Sequence, residues 1–211
     1  MKKIALAVTA ACLASSVALA GGHAKNVKIG IALGFTGPAE SLAESMARGA
    51  ELAIKEVNAS GALLDNAKID VVRADSTCTD AAAAAAAAER LVSAEKVDSI
   101  IGGLCSGATI SMLQNVAMAK GVVLFSPSAT SPALSTLADN DLFFRASPSD
   151  ARQGQVIAEV LMEQGYQSIA MTYTNNDYGK GLADSIQSNF EAAGGKVTIN
   201  TPHEDGKGDY G

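Results

Sequence analysis

The sequence is poor in the residues that mark metal, nucleic-acid and membrane-surface sites. It has no tryptophan, two histidines and three cysteines, and its 16 basic residues stand against 22 acidic ones, which gives a net charge of −6. A nucleic-acid-binding surface needs clustered lysine and arginine, and no segment here carries such a cluster. The acidic balance also disfavours binding to anionic lipid. We therefore expect no nucleic-acid partner and no metal centre.

Catalytic signatures are missing as well. The two histidines, His23 and His203, lie near the amino terminus and in the carboxyl-terminal tail, away from any triad context. The segment GLCSG (103–107) has its serine one position too late for the G-x-S-x-G nucleophile elbow. Neither a phosphate loop nor a G-x-G-x-x-G dinucleotide fingerprint occurs. We expect no enzyme and no cofactor, and a serine-type hydrolase is the least favoured alternative.

The first twenty residues predict a secretory signal peptide. Lys2 and Lys3 precede an apolar run, and residues 18–20 form an A-x-A cleavage site. A transmembrane anchor is the alternative, but the run is short for a membrane span. A lipoprotein attached through Cys12 is disfavoured, because apolar sequence continues beyond that cysteine. We expect cleavage after Ala20 and a periplasmic location.

Two cysteines, Cys78 and Cys105, remain after that cleavage. In an oxidising compartment an isolated pair most simply forms a disulfide. The loop that it closes would contribute roughly 3–4 kcal/mol through the chain entropy of the unfolded state. A metal site is the alternative, but two cysteines alone make a poor one.

Hydrophobic periodicity alternates between strands and helices along the rest of the chain. The predicted strands are 27–33, 68–74, 97–103, 122–126, 141–147, 168–173 and 196–200. The predicted helices are 40–61, 80–95, 107–121, 149–164 and 179–193. Such alternation is typical of an α/β fold in which helices cover both faces of a parallel sheet.

The pattern divides the chain into two runs. The segment RASPSD (145–150) has turn chemistry, so we predict a first lobe over 21–145, a hinge over 146–150 and a second lobe over 151–211. The second run has two predicted strands, too few to bury a core of their own. We therefore expect this second lobe to be incomplete and the chain to be a fragment.

Neutral polar groups follow the third and fourth predicted strands. Ligands of open parallel sheets bind beyond the carboxyl ends of the strands. Ser106 lies at the start of a predicted helix, where backbone N–H groups attract anions, although a simple N-cap role is the alternative. The stretch SPSATSP (126–132) would bring Ser128 and Thr130 beside it, unless it is an ordinary polar turn. Donors would hold the carboxylate of a zwitterion, and a backbone carbonyl and the Thr130 oxygen would hold its ammonium group.

Four motifs together resemble the bacterial periplasmic leucine/isoleucine/valine-binding proteins, the type I solute-binding proteins of ABC transporters. They are TGP after the first strand, the spacing CTD…LCS, SPSATSP, and NNDYGKG (175–181), and the likeness runs from about residue 26 to the end. The resemblance implies two doubly wound parallel-sheet lobes that close over an amino acid. It also implies a monomer that docks on an ABC transporter permease.

The same resemblance assigns roles to individual residues. It implies a disulfide between Cys78 and Cys105, a carboxylate ligand in Ser106, and a loop at Ser128 and Thr130 that binds both charged ends of the amino acid. Tyr178 would close over the ligand from the second lobe.

Two features depart from the family. Leu42 stands where leucine-binding members have a tyrosine, so the pocket for the ligand side chain is expected to differ. The acidic residue that binds the ammonium group in the family is expected beyond Gly211. The ectodomain of a sensor or receptor with the same lobes is the alternative function that the sequence leaves open.

Overall fold

Alternating strands and helices build two parallel sheets in the computed structural model. The structure describes residues 26–63, 66–204, 206 and 208–209. The predicted signal peptide lies outside the described residues, as do Cys12 and His23. Its cleavage and the periplasmic location therefore stay predictions.

The first lobe is a five-stranded sheet with three covering helices. Its strands are β1 (Val27–Leu33), β2 (Ile69–Asp75), β3 (Ser99–Gly102), β4 (Val123–Ser126) and β5 (Phe143–Arg145). Its helices are α1 (Glu40–Ser60), α2 (Ala81–Glu89) and α3 (Ser106–Met112). A π-helical turn extends α2 over Arg90–Ala94, and another extends α3 over Leu113–Ala117 into a last helical turn, Met118–Lys120. A short 3₁₀ helix, Pro132–Ser135, follows β4.

The second lobe, as far as the structure describes it, is a two-stranded sheet with two helices. It consists of α4 (Asp150–Glu163), β6 (Ser168–Thr174), α5 (Asp177–Ala192) and β7 (Lys196–His203). The helices α4 and α5 approach closely, because a Cβ atom on Gly154 would collide with Ser185 of the other helix. Glycine is therefore needed at this crossing.

The strand order of the first sheet predicts where a ligand would bind. The order is β2-β1-β3-β4-β5, and each of these pairs is parallel. The chain leaves β1 for β2 on one side and then returns to β3 on the other. Ligands of such sheets bind in the crevice outside the carboxyl ends of the strands at this change of direction. The loops after β1 and β3 lie at that point.

The core of the first lobe has one cluster on each face of the sheet. On one face, α2 and α3 pack on the sheet around Leu91, Ile100, Met112 and Leu124, which are fully buried. On the other face, α1 packs against β1 through alanines. A fully buried leucine or isoleucine contributes roughly 1.5–3 kcal/mol, so these clusters hold the ends of the strands in place.

The eight consecutive alanines at 81–88 form a thin helix that packs closely. Ala84, Ala87 and Ala88 are buried in the core. Asp80 begins α2 as its N-cap, because its carboxylate accepts hydrogen bonds from the N–H groups of Ala82 and Ala83.

Several predicted boundaries are wrong. The fifth strand begins at Phe143 rather than 141, because Asn140 and Asp141 have positive φ angles of 55° and 59° and form a turn. The last strand extends beyond 200, because Thr174 of β6 still pairs with His203. The helix α5 begins two residues earlier than predicted, at Asp177.

Candidate functional site

A cleft of about 870 Å³ lies between the two lobes at the carboxyl ends of the strands. The loops after β1, β3 and β4 form one wall, and the loop between β6 and α5 forms the other. All five predicted ligand-binding residues line this cleft: Leu42, Ser106, Ser128, Thr130 and Tyr178. The structure thus brings together residues that are up to 136 positions apart in the sequence.

Ser106 offers a free donor at the start of α3. It is the first residue of the helix and is 2% exposed, and Cys105 occupies the N-cap position without a side-chain cap. The alternative in which Ser106 is a simple N-cap is therefore wrong. Its Oγ accepts a hydrogen bond from the N–H of Ser131 at 3.1 Å. No described residue takes the hydroxyl proton of Ser106, so that proton can be donated to a ligand.

The loop after β4 folds around Ser126, which is fully buried. The Oγ of Ser126 donates to the carbonyl of Gly103 at 2.7 Å and accepts from the N–H of Ala129 at 2.9 Å. Ser128 donates its hydroxyl proton to the carbonyl of Leu104 at 2.8 Å. Its hydroxyl can therefore serve a ligand only as an acceptor. These bonds fix the loop after β4 to the loop after β3.

Thr130 is paired with Asp150, a carboxylate that is 1% exposed. The Thr130 hydroxyl donates to Oδ2 of Asp150 at 2.7 Å, and the N–H of Asp150 donates back to the Thr130 carbonyl at 2.9 Å. Because the single hydroxyl proton is used, Thr130 can only accept from a ligand. Ser149 is the N-cap of α4, where its side chain accepts from the N–H of Ala151, so the Asp150 carboxylate does not cap the helix. No sequence signal relates Asp150 to a loop 20 residues earlier.

The disulfide between Cys78 and Cys105 is confirmed. Their Cα atoms lie 5.3 Å apart, and both residues line the cleft. The bond joins the loop after β2 to the residue that precedes Ser106. It therefore restrains the start of α3.

The loop after β1 is organised by Asp75. Its carboxylate accepts from the hydroxyl of Thr36, from the N–H of Phe35 at 3.0 Å and from the N–H of Thr77 at 2.9 Å. Burial by itself raises the pKa of Asp75, but these hydrogen bonds outweigh burial and leave the pKa below its ordinary value. Ionised Asp75 thus fixes the loop that leads into α1 and Leu42.

The second lobe contributes Tyr178 and its neighbours. Tyr178 is 44% exposed in the first turn of α5. Asn176 is the N-cap of this helix and accepts from the N–H of Gly179 at 2.9 Å. A Cβ atom at position 179 would collide with the Thr174 carbonyl, so only glycine allows this turn. On α1 of the opposite lobe, Leu42 is 51% exposed.

The lobes touch at two glycines. A Cβ atom on Gly107 would lie 2.7 Å from the carboxylate of Asp177 in the other lobe. A Cβ atom on Gly181 would lie 2.9 Å from Pro132 and 3.1 Å from the Oγ of Ser131. Both contacts join the two lobes, so the absence of side chains at these positions allows the lobes to approach.

The charge of the cleft is one-sided. Among its described lining residues, Asp150, Asp177 and Glu204 are acidic and none is basic. The Oε1 of Glu204 accepts from the amide of Asn175 at 2.9 Å. A ligand carboxylate would therefore rely on hydroxyl and backbone N–H donors here, while a ligand cation would be attracted by the carboxylates.

The described residues contain neither a cluster suited to a metal ion nor a helix suited to span a membrane. Within 26–63 and 66–204, no group of three or more His, Cys, Asp or Glu side chains is arranged to hold a metal ion. None of the described helices has the length and apolar character needed to cross a membrane.

Relatives of known type share the sequence. Residues 26–211 match the periplasmic binding protein family. The Leu/Ile/Val-binding protein of Citrobacter freundii is 30% identical over 194 residues, which cover 92% of this chain and 51% of that protein. An amino acid binding protein of Pseudomonas aeruginosa is 31% identical over 197 residues, 93% of this chain and 50% of that protein. The chain thus spans about half the length of these relatives.

Solved structures agree with the sequence matches and confirm the predicted type I α/β fold. LivJ of Streptococcus pneumoniae, a branched-chain amino acid transporter substrate binding protein in complex with isoleucine, superposes with a TM-score of 0.76 at 30% identity, covering 88% of this chain and 51% of LivJ. The leucine binding protein LivK of Thermotoga maritima superposes with a TM-score of 0.77 at 25% identity, covering 87% of this chain and 51% of LivK. A Rhodopseudomonas palustris protein with bound benzoate, 22% identical, shares the fold. The family resemblance is confirmed, and the chain belongs to the periplasmic binding protein family.

Proposed function

We propose that this protein is an extracytoplasmic solute-binding protein that delivers an amino acid, branched-chain or a related small carboxylate, to an ABC transporter. The observation that carries the proposal is the hydrogen-bond polarity of the cleft. Ser106 has a proton to give, whereas Thr130 has only lone pairs to offer beside the buried carboxylate of Asp150. A zwitterion matches this polarity at both ends.

The carboxylate of the amino acid binds at the start of α3. The Ser106 hydroxyl donates to it, and the first backbone N–H groups of this helical segment add positive partial charge. The disulfide at Cys105 holds this turn in place. A carboxylate bound by hydroxyl and amide dipoles needs no lysine or arginine, which agrees with the lining of the cleft.

The ammonium group binds at Thr130. The Thr130 oxygen accepts one of its protons, and a backbone carbonyl of the same loop accepts another. The Asp150 side chain directly behind Thr130 stabilises the positive charge, because it lies in a buried site where water screens it little. A ligand without an ammonium group leaves this end unpaired.

The aliphatic side chain of the ligand packs on the wall that Pro38, Ala39 and Leu42 form. Leu42 is apolar but smaller than the tyrosine that leucine-binding members of the family have at this place. This wall therefore leaves more space for the side chain of the ligand than a wall with tyrosine would. Tyr178 covers the ligand from the second lobe.

The lobes move about the hinge at 146–150, and the ligand stabilises the closed form because it touches both lobes. The closed, monomeric protein docks on the permease of the transporter in the periplasm. The names of the relatives support the transport role, since LivJ is described as a transporter substrate binding protein.

Calorimetry with three related compounds tests the proposal on this protein. Leucine carries both charged ends, 4-methylpentanoate lacks the ammonium group, and 3-methylbutylamine lacks the carboxylate. A charged hydrogen bond contributes about 1.5–3 kcal/mol, so each analogue should bind roughly 10- to 150-fold more weakly than leucine. Equal affinity for leucine and 4-methylpentanoate would contradict the zwitterion site.

A further inference from the structure

We infer that Arg145, at the end of β5, is a positioning residue that fixes the ligand-binding loop through its backbone. The inference rests on the proposed function, because it concerns how the same cleft binds an amino acid. Arg145 does not line the cleft. Its effect on a ligand would therefore pass through the loop after β4.

Residues 145–150, here called the crossover segment, donate hydrogen bonds to three consecutive carbonyl groups of the loop after β4. One Nη of Arg145 donates to the carbonyls of Ala129 and Ser131, both at 3.1 Å. The N–H of Asp150 donates to the carbonyl of Thr130 at 2.9 Å. The hydroxyl of Ser147 adds a second bond to Ala129, at 3.0 Å. The loop and the crossover are thus one hydrogen-bonded unit.

Arg145 fixes the peptide groups on both sides of Thr130. The carbonyls of residues 129 and 131 flank Thr130, so holding them sets the rotation of the backbone that carries the Thr130 hydroxyl. The peptide N–H of Ser131, a residue that is 1% exposed, donates to the Oγ of Ser106. That bond orients the hydroxyl proposed for the ligand carboxylate. One guanidinium therefore constrains both ends of the ligand site.

Arginine suits this position better than lysine. Its planar group presents donors at fixed angles, and here it reaches two carbonyls and the Oγ of Ser135 at once. Burial lowers the pKa of Arg145, while the charge of Asp150 opposes that change. A guanidinium stays protonated in proteins, so the donors are present at all physiological pH values. A lysine would keep the charge but lose the fixed geometry.

Two substitutions separate geometry from charge. Arg145→Lys keeps the positive charge, and Arg145→Met removes it. The matched control is Arg152→Lys in α4, because Arg152 is exposed and forms its ion pair with Glu159 of the same helix. Leucine affinity is measured by calorimetry well below the melting temperature, and circular dichroism verifies folding.

Both Arg145 variants should bind leucine about 10-fold more weakly or worse, while Arg152→Lys binds as the unchanged protein does. The amide resonance of Ser131 in ¹⁵N-correlated NMR spectra of the ligand-free protein should shift in Arg145→Lys, which reports the altered loop directly. If only the charge of Arg145 mattered, Arg145→Met would bind leucine more weakly while Arg145→Lys would bind it as the unchanged protein does. That result would overturn the inference. A fall in melting temperature with unchanged affinity also overturns it, because it shows a purely structural role.

A milder variant keeps the test decisive if neither Arg145 variant folds. Ser147→Ala removes one neutral hydrogen bond to the Ala129 carbonyl and should weaken leucine binding roughly 2- to 10-fold. Unchanged affinity in that variant would overturn the role of the crossover. If the unchanged protein binds leucine but these variants bind it equally well, only this inference fails. If the unchanged protein binds no amino acid, the proposed function fails first.

Discussion

The substitution Asp150→Asn tests the ammonium end of the site. Asparagine has nearly the same size as aspartate and keeps an oxygen that can accept from the Thr130 hydroxyl. The change therefore removes the charge of a side chain that is 1% exposed and leaves the local packing intact. We expect that charge to stabilise a ligand ammonium group on the far side of Thr130.

The size of the effect follows from distance and burial. The Thr130 hydroxyl lies 2.7 Å from the Asp150 carboxylate. An ammonium nitrogen bound to the Thr130 oxygen would therefore lie about 5 Å from that carboxylate. At that separation and an effective dielectric constant of about 20, the attraction is about 3 kcal/mol. Allowing for partial compensation, we expect leucine affinity to fall roughly 10- to 150-fold.

The assay is calorimetry with leucine and with 4-methylpentanoate. The loss should be confined to leucine, because 4-methylpentanoate has no positive charge for Asp150 to stabilise. Asp177→Asn is the matched control, since Asp177 lies against Gly107 at the proposed carboxylate end and its neutralisation should leave leucine binding unchanged or tighter. Unchanged leucine affinity in Asp150→Asn, or an equal loss for both ligands, would refute the reasoning.

Three further predictions concern the framework of the site. Cys78→Ser should lower the free energy of unfolding by about 3–4 kcal/mol in denaturant titrations, and the difference should vanish when the unchanged protein is reduced; a persistent difference under reduction would refute the entropic account. Asp75→Asn should destabilise the protein near neutral pH. Because the pKa of folded Asp75 is lowered, its stabilisation is present above the ordinary value of 3.8 and is lost as the pH falls through the lower folded value. A pH-independent difference between the two proteins would contradict this. Gly181→Val should weaken leucine binding without touching the ligand, because its side chain would meet Pro132 when the lobes close; scattering that shows normal closure would exclude that explanation.

Sequence patterns located most strands because buried apolar runs are a local signal. The segment 27–33 is strand β1 as predicted, and the run at 122–126 contains β4. Ser106 and Thr130 could be proposed because loops at the carboxyl ends of parallel strands converge whatever their length. These predictions needed only the order of the elements.

The rest of the site depends on contacts that no local pattern encodes. Asp150 bonds to Thr130 across 20 residues, and Arg145 bonds to the Ala129 carbonyl across 16. Their side chains meet the loop only because β5 pairs with β4, which returns the chain beside it. The direction in which Ser128 donates its proton is likewise set by tertiary contact, with Leu104. Sequence alone therefore indicated which loops form the site but not how their hydrogen bonds are polarised.

A structure of the protein in complex with leucine would show directly which end of the ligand lies at Ser106. We expect the leucine carboxylate within about 3 Å of the Ser106 Oγ and the ammonium nitrogen within about 3 Å of the Thr130 Oγ1. The reversed orientation, or a ligand bound away from both hydroxyls, would contradict this expectation.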